Sequence, residues 1–150
     1  MHKKIYCPEF LTHTEFDWIR NVTPVDSVKK ADIIVFSGGA DINPALYNCA
    51  KHNSTWFNER RDALEVGCFN NLSKNQVVIG ICRGAQLVTA LNGGKLIQNV
   101  TGHTNGPHFI TNNDLKFKIE SIHHQMMYPF DMDKKDYTLT EDYTNPDFII

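Results

Sequence analysis

Two runs of consecutive aliphatic residues set the pattern of this chain: Ala31-Asp32-Ile33-Ile34-Val35-Phe36 and Val77-Val78-Ile79-Gly80-Ile81. Neither alternates apolar with polar positions, so each has the composition of a strand covered on both faces, as in a parallel sheet. Lys4-Ile5-Tyr6-Cys7, ended by Pro8, predicts a first strand, and Val22 to Val25, cut short by Pro24, predicts a brief edge strand. Between these two, Thr12 and Glu15 form a capping box ahead of a short amphipathic helix with Phe16 and Ile19 on one face. Asn58 can cap a longer helix reaching about Lys74, with Leu64, Cys68 and Leu72 at i, i+4 and i+8 on its buried side. A third helix is expected from Ala85 to Leu91, stopped by Asn92-Gly93-Gly94.

Beyond that stop, Lys95 to Val100 reads as a returning strand. Phe109–Ile110 and Lys116–Ile119 read as a hairpin around Asn112-Asn113-Asp114. Met126 to Phe130 reads as a loop and Tyr137 to Thr140 as one more strand. The stretch from Ala40 to Phe57 is rich in Asn, Ser and Pro; a loop of that length in a small domain is a candidate for function. Strands alternating with helices predict an α/β fold around a mostly parallel central sheet, with its site at the carboxyl ends of the strands. The length, and the lack of any repeat or linker, predict a single domain over residues 1–150.

The two buried runs share a second property, because each ends in a glycine turn. Gly80-Ile81-Cys82-Arg83-Gly84 joins the second run to the Ala85 helix, a strand–turn–helix arrangement known as a nucleophile elbow. Such a turn strains its central residue, which requires small flanking residues. It also aims the free N–H groups of the following helix at the thiol of Cys82. A free thiol with a pKa near 8.5 is only about 3% thiolate at neutral pH, and a helix N-terminus or a nearby imidazole raises that fraction. The first run ends in Ser37-Gly38-Gly39, where a backbone N–H can turn toward a developing negative charge. A third polar cluster, Ser121-Ile122-His123-His124-Gln125, follows the hairpin.

Composition narrows the field further. A net charge of −2 and a pI near 6.4 give no electrostatic footprint for nucleic acid or an acidic membrane surface. No apolar stretch approaches a membrane span, and the apolar part of MHKKIYCPEF is too short for a signal peptide, so the expected location is cytoplasmic. Cys7, Cys49, Cys68 and Cys82 show no paired spacing and read as reduced thiols. Four histidines lie between residues 103 and 124, but without His-Glu-x-x-His or Cys/His ligand spacing, so no metal and no cofactor is expected.

Taken together, GGADINPALY (38–47), RRDALE (60–65), GICRGAQLVTALNGGKLIQNV (80–100) and SIHHQ (121–125) resemble the class I glutamine amidotransferase-like superfamily. Within it the chain is most similar to the branch of γ-glutamyl hydrolases and γ-glutamyl-γ-aminobutyrate hydrolases. The resemblance covers residues 33 to 125 and implies a flavodoxin-like three-layer sandwich, here C-terminally shortened. It implies Cys82 as the nucleophile that forms a thioester with a γ-glutamyl amide. It also implies backbone N–H groups of Gly39 and Arg83 as the oxyanion hole, with Gln86 beside the glutamyl group. Ser121, Ile122 and His123 would line the pocket for its α-amino and α-carboxylate groups, largely through backbone atoms. Arg61, Asp62 and Glu65 read as structural, packing the helix edge beside the site.

In the family a His-x-Glu element completes the triad downstream of His-His-Gln, whereas no histidine follows His124 in these 150 residues. Two functions therefore follow from the resemblance. One is hydrolysis of glutamine or another γ-glutamyl amide, with a partner ligase receiving any ammonia, or with a homodimer as the working unit. The other is a binding or regulatory module that keeps the γ-glutamyl pocket without the triad.

Overall fold

A computed structural model describes residues 2–9, 19–100, 103–104, 106–112 and 115–128. The first apolar run forms β3, Ile33–Phe36, in which Ile34, Val35 and Phe36 have no solvent exposure. It pairs in parallel with β1 (Lys3–Tyr6) on one side and β4 (Val77–Gly80) on the other, and β2 (Val22–Pro24) lies outside β1. Among the described residues the order is β2-β1-β3-β4, so the strand limited by Pro24 occupies an edge of that sheet, where its missing N–H costs nothing in the ladder.

Alternate side chains of β3 feed two cores, as the period of a strand requires. Ile34 and Phe36 pack with Tyr47, Cys68, Leu87, Ala90 and Leu96 beneath helix α1 (Glu59–Asn70) and helix α2 (Arg83–Leu91). Val35 packs on the opposite face with Ile5 and Cys7, and Ile19 lies against that cluster. The helix expected after Thr12 falls outside the described residues apart from its end at Ile19, and the strand expected at Tyr137–Thr140 falls outside them altogether. The described sheet and helices form the α/β, flavodoxin-like arrangement.

Four expectations need correction. Val77 is 56% exposed, and β4 is not covered on both faces, because it borders the sheet among the described residues. Helix α1 turns Asp62, Glu65 and Cys68 inward, while Leu64 is 50% exposed; a buried arginine from elsewhere in the chain reverses the apolar pattern. The same helix ends at Asn70, with the Asn71 N–H bonded back to the Cys68 and Phe69 carbonyls, rather than running to Lys74. Finally, Met126–Tyr128, expected as a loop, is strand β8, which pairs antiparallel with β5 (Lys95–Ile97). That pairing gives the segment after α2 its partner.

The hairpin forms as expected, with β6 (His108–Asn112) antiparallel to β7 (Leu115–Ile119). Within the long 40–57 stretch, Pro44–Tyr47 makes one turn of 3-10 helix, started by Asn43 Oδ1 accepting the Ala45 N–H at 3.0 Å. For the site, the decisive feature is a register. Phe36 lies opposite Gly80, so β3 and β4 end level with each other. The Ser37-Gly38-Gly39 turn and the Ile81-Cys82 turn therefore leave the sheet at the same edge.

Candidate active site

Cys82 is the residue between β4 and α2, with φ 52° and ψ −110°. For a residue with a Cβ this left-handed φ is strained, and it persists only where the surroundings enforce it. Here the enforcement is visible. The Ile81 N–H donates to the Phe36 carbonyl at 2.9 Å, and the Gly84 N–H donates to Ile81 at 2.9 Å. The Cys82 carbonyl accepts the Ala85 and Gln86 N–H groups at 3.0 and 3.2 Å, which starts the helix. The two flanking glycines are required by space: a Cβ on Gly80 would stand 2.6 Å from Ala85 backbone atoms, and one on Gly84 would run into the Phe36 carbonyl. Cys82 itself is exposed.

Gly38 stands directly beside it, since a Cβ there would lie 3.7 Å from the Cys82 Cβ. Gly39 has φ 140°, which favours glycine, and a Cβ on it would collide with Arg61 Nη1. The Gly-Gly turn thus faces the thiol on one side and a guanidinium on the other. Among the described residues, neither the Gly39 nor the Arg83 N–H donates to a backbone carbonyl.

The side chain of Arg83, which sequence reading left without a role, is 1% exposed and lies under the turn between Asp62 and Glu65. Glu65, with no exposure at all, also accepts from Arg61 Nε at 3.2 Å. Arg61 Nη2 in turn bonds the Ser37 carbonyl at 3.2 Å, Ser37 Oγ at 3.0 Å and Glu9 Oε2 at 2.7 Å. Asp62 Oδ2 accepts the Asn43 N–H at 3.0 Å. Burial pushes the Asp62 carboxyl above its ordinary pKa, against the opposing pull of the Asn43 N–H and the Arg83 charge. The sequence signal for this cluster was available: Arg61 and Glu65 are spaced i, i+4 on one helix face.

The segment from Ser121 to Gln125 lies beside the first turn of α2. Gln86 Nε2 reaches the Gln125 carbonyl at 3.4 Å, and His123 Nδ1 lies 2.7 Å from the same oxygen. A carbonyl only accepts, so His123 carries its proton on Nδ1 there. The Ser121 hydroxyl, 1% exposed, donates to the His103 carbonyl at 2.9 Å. Ile122 turns its side chain outward at 80% exposure. Of the residues expected to bind substrate, Gln86 and His123 therefore meet at one atom, while Ser121 points into a bond with the 103 loop.

Sequence reading missed a pair here: His124 Nε2 bonds the Asp41 carboxylate at 2.9 and 3.1 Å, 83 residues apart in the chain. No local pattern announces a contact at that separation. Among the described residues no three His, Cys, Asp or Glu side chains gather as a metal ion would need.

A parallel sheet whose third and fourth strands end in a Gly-Gly turn and a strained cysteine turn defines the class I glutamine amidotransferase-like arrangement. The Peptidase C26 profile matches residues 20–133, and the chain belongs to that family. The chain is similar to Protein NtpR of Enterococcus hirae, 33% identical over 94 residues, or 57% of this chain and 39% of that one. It is also similar to the glutamine amidotransferase-like protein YvdE of Lactococcus lactis subsp. lactis, 34% identical over 91 residues, or 53% and 38% of the two chains. A YvdE homolog from Lactococcus lactis subsp. cremoris is 33% identical over 89 residues, or 53% and 47%. The chain thus spans less than half the length of each of these relatives.

Proposed function

We propose that this chain carries cysteine-dependent cleavage of a γ-glutamyl amide, either glutamine or a γ-glutamyl amine. The observation that carries the reading is the enforced φ of Cys82 at the mouth of α2, against Gly38. The Cys82 thiol gives up its proton, the one the leaving amine later takes up, as its sulfur attacks the γ-carbonyl carbon, and the oxyanion that forms accepts hydrogen bonds from the Gly39 and Arg83 N–H groups. Collapse of that intermediate expels the amine, which takes up a proton, and leaves a γ-glutamyl thioester. Water then releases glutamate and restores the thiol. Gln86 would sit beside the glutamyl group, and Ser121, Ile122 and His123 would hold its α-amino and α-carboxylate groups largely through backbone atoms. If the amine is ammonia, a ligase partner would have to receive it.

A second reading, a γ-glutamyl-binding module without turnover, draws on the bonding of the imidazoles in the 121–125 segment. His123 Nδ1 is engaged by the Gln125 carbonyl and His124 Nε2 by Asp41. Each ring keeps its other nitrogen, but among the described residues no hydrogen bond joins an imidazole to the Cys82 sulfur, and catalysis needs an acid–base group within reach of it.

Treatment with a diazo-ketone analogue of glutamine, followed by peptide mass spectrometry, tests the first reading. A single adduct on Cys82, blocked by excess glutamate, is expected. Amine release from a chromogenic γ-glutamyl anilide then separates the two readings. Turnover lost by at least about 10³-fold in Cys82→Ala supports the hydrolase. Binding without turnover supports the module, and the absence of both adduct and binding would sink both.

A further inference from the structure

Gly39 and Arg83 sit on different turns, yet one carboxylate reaches the cation behind each. Glu65 Oε1 accepts from Arg61 Nε at 3.2 Å, and Arg61 passes its other end to the Ser37 carbonyl and hydroxyl that begin the Gly-Gly turn. Glu65 Oε2 accepts from Arg83 Nη1, on the residue whose backbone opens α2 directly after Cys82. The glutamate has no solvent exposure and Arg83 is 1% exposed, so this bridge is not loosened by water. Asp62, on the same inward face of α1, holds the other end of the Arg83 guanidinium through Nη2 and takes the Asn43 N–H.

The bridge also has little freedom of shape. A guanidinium is a planar fork, so an arginine bonded at both ends is held in orientation as well as position. Arg61 lies so close to Gly39 that no Cβ fits between them. Movement of Glu65 along the axis of α1 would therefore displace Arg61 and Arg83 together, and with them both turns.

We propose that Glu65 is a positioning residue that sets the spacing between the two backbone donors of the site, N–H of Gly39 and N–H of Arg83. This rests on the reading of those donors as an oxyanion hole. It assigns α1 a role beyond packing, as the rigid bar to which both halves of the hole are bolted through Arg61 and Arg83. A hole built this way depends on one carboxylate that touches neither substrate nor thiol.

The test has two arms on the intact chain. In the first, amide NMR spectra and hydrogen exchange compare wild type with Glu65→Gln, and with Glu59→Gln as an exposed control on the same helix. Glu65→Gln is expected to shift the Gly39 and Arg83 signals together, with β1 and β2 amides unmoved in position and exchange rate; Glu59→Gln should move neither. If either Gly39 or Arg83 stays in place, the proposal is overturned. Should Glu65→Gln fail to fold, Arg61→Lys keeps the charge but not the fork. It should move Gly39 and leave Arg83, and movement of neither overturns the proposal.

In the second arm a γ-aldehyde analogue of glutamate reports the hole, because its thiohemiacetal with Cys82 places an oxyanion there. Iodoacetamide reports the thiol alone. Glu65→Gln is expected to weaken aldehyde binding by at least about tenfold while leaving the alkylation rate unchanged. Equal loss of both, or of neither, overturns the proposal. If wild type is alkylated at Cys82 yet forms no thiohemiacetal, the proposed function falls, while the NMR arm still decides whether Glu65 ties the two turns.

Discussion

At the scale of single residues, the cysteines divide by environment. Cys68 is buried on the inward face of α1, and desolvation, then the charge of Glu65 and the Cys7 thiol, push its pKa from 9.0 up to about 11. Cys82 and Cys49 are exposed. Brief treatment with iodoacetamide at pH 8 should therefore modify Cys82 and Cys49 and spare Cys68, as read by peptide mass spectrometry; early modification of Cys68 would contradict its placement. The same shift has a thermodynamic consequence. The folded-state pKa is raised, so the unfolded chain releases this proton first. The contribution of Cys68 to stability is whole below pH 9 and is lost as pH rises toward 11. A two-unit shift corresponds to about 2–3 kcal/mol at most. Urea unfolding between pH 8 and 11 should show that decline in wild type and a shallower one in Cys68→Ala. Some slope would remain in the variant, because burial also raises Tyr6 and Tyr47.

At the scale of elements, the join of β4, Cys82 and α2 depends on a contact between glycine and strand. The Cβ of Gly84→Ala would run into the Phe36 carbonyl, a backbone atom that cannot swing away as a side chain can. The substitution should destabilise the chain by about 3 kcal/mol, near the upper end of ordinary overpacking costs. Thermal melting checks this, and an unchanged midpoint would refute the close approach. This join was legible in the sequence because its causes are local: an apolar run, two small residues around Cys82, a helix-forming stretch, and Asn92-Gly93 to end it. The hairpin was legible for the same reason. Helix α1 was misread because its inward face answers to Arg83, 18 residues beyond Glu65 and 21 beyond Asp62. With a guanidinium buried there, turning leucines inward would leave its charge unpaired, a loss of about 3–5 kcal/mol when one partner of such a pair is removed. Strand β8 was missed because its partner, β5, lies on the far side of the hairpin.

At the scale of the whole molecule, the long 40–57 stretch is tied to the body by side chains from later in the chain. Gln98 accepts the His52 N–H at 2.9 Å and the Thr55 hydroxyl at 2.7 Å, and donates to the Ala50 carbonyl at 2.7 Å. Gln125 Nε2 meets Thr55 at 3.3 Å, and Asp41 takes the Trp56 N–H as well as His124. Gln98→Ala removes three of these bonds, a loss of about 2 kcal/mol. Limited proteolysis should then cut within residues 48–57 well before wild type is cut there; matching digests would show that Gln98 does not hold the stretch. The ties made by Gln98, Gln125 and His124 could not be read from composition, since each joins residues more than forty positions apart. What the sequence did reveal at this scale is the family, because its motifs stand in order along the chain. The same separation governs how the site comes into being. Gly38 and Cys82 touch in space, yet residues 39–81 run between them, and closing a loop of that length costs roughly 3 kcal/mol of chain entropy. The β3–β4 ladder and the buried charges behind it offset that cost only when both are formed. A chain melted at β4 alone would keep its thiol and lose the neighbours that distinguish it, so local unfolding there would disarm Cys82 even with β1, β2 and β3 still paired.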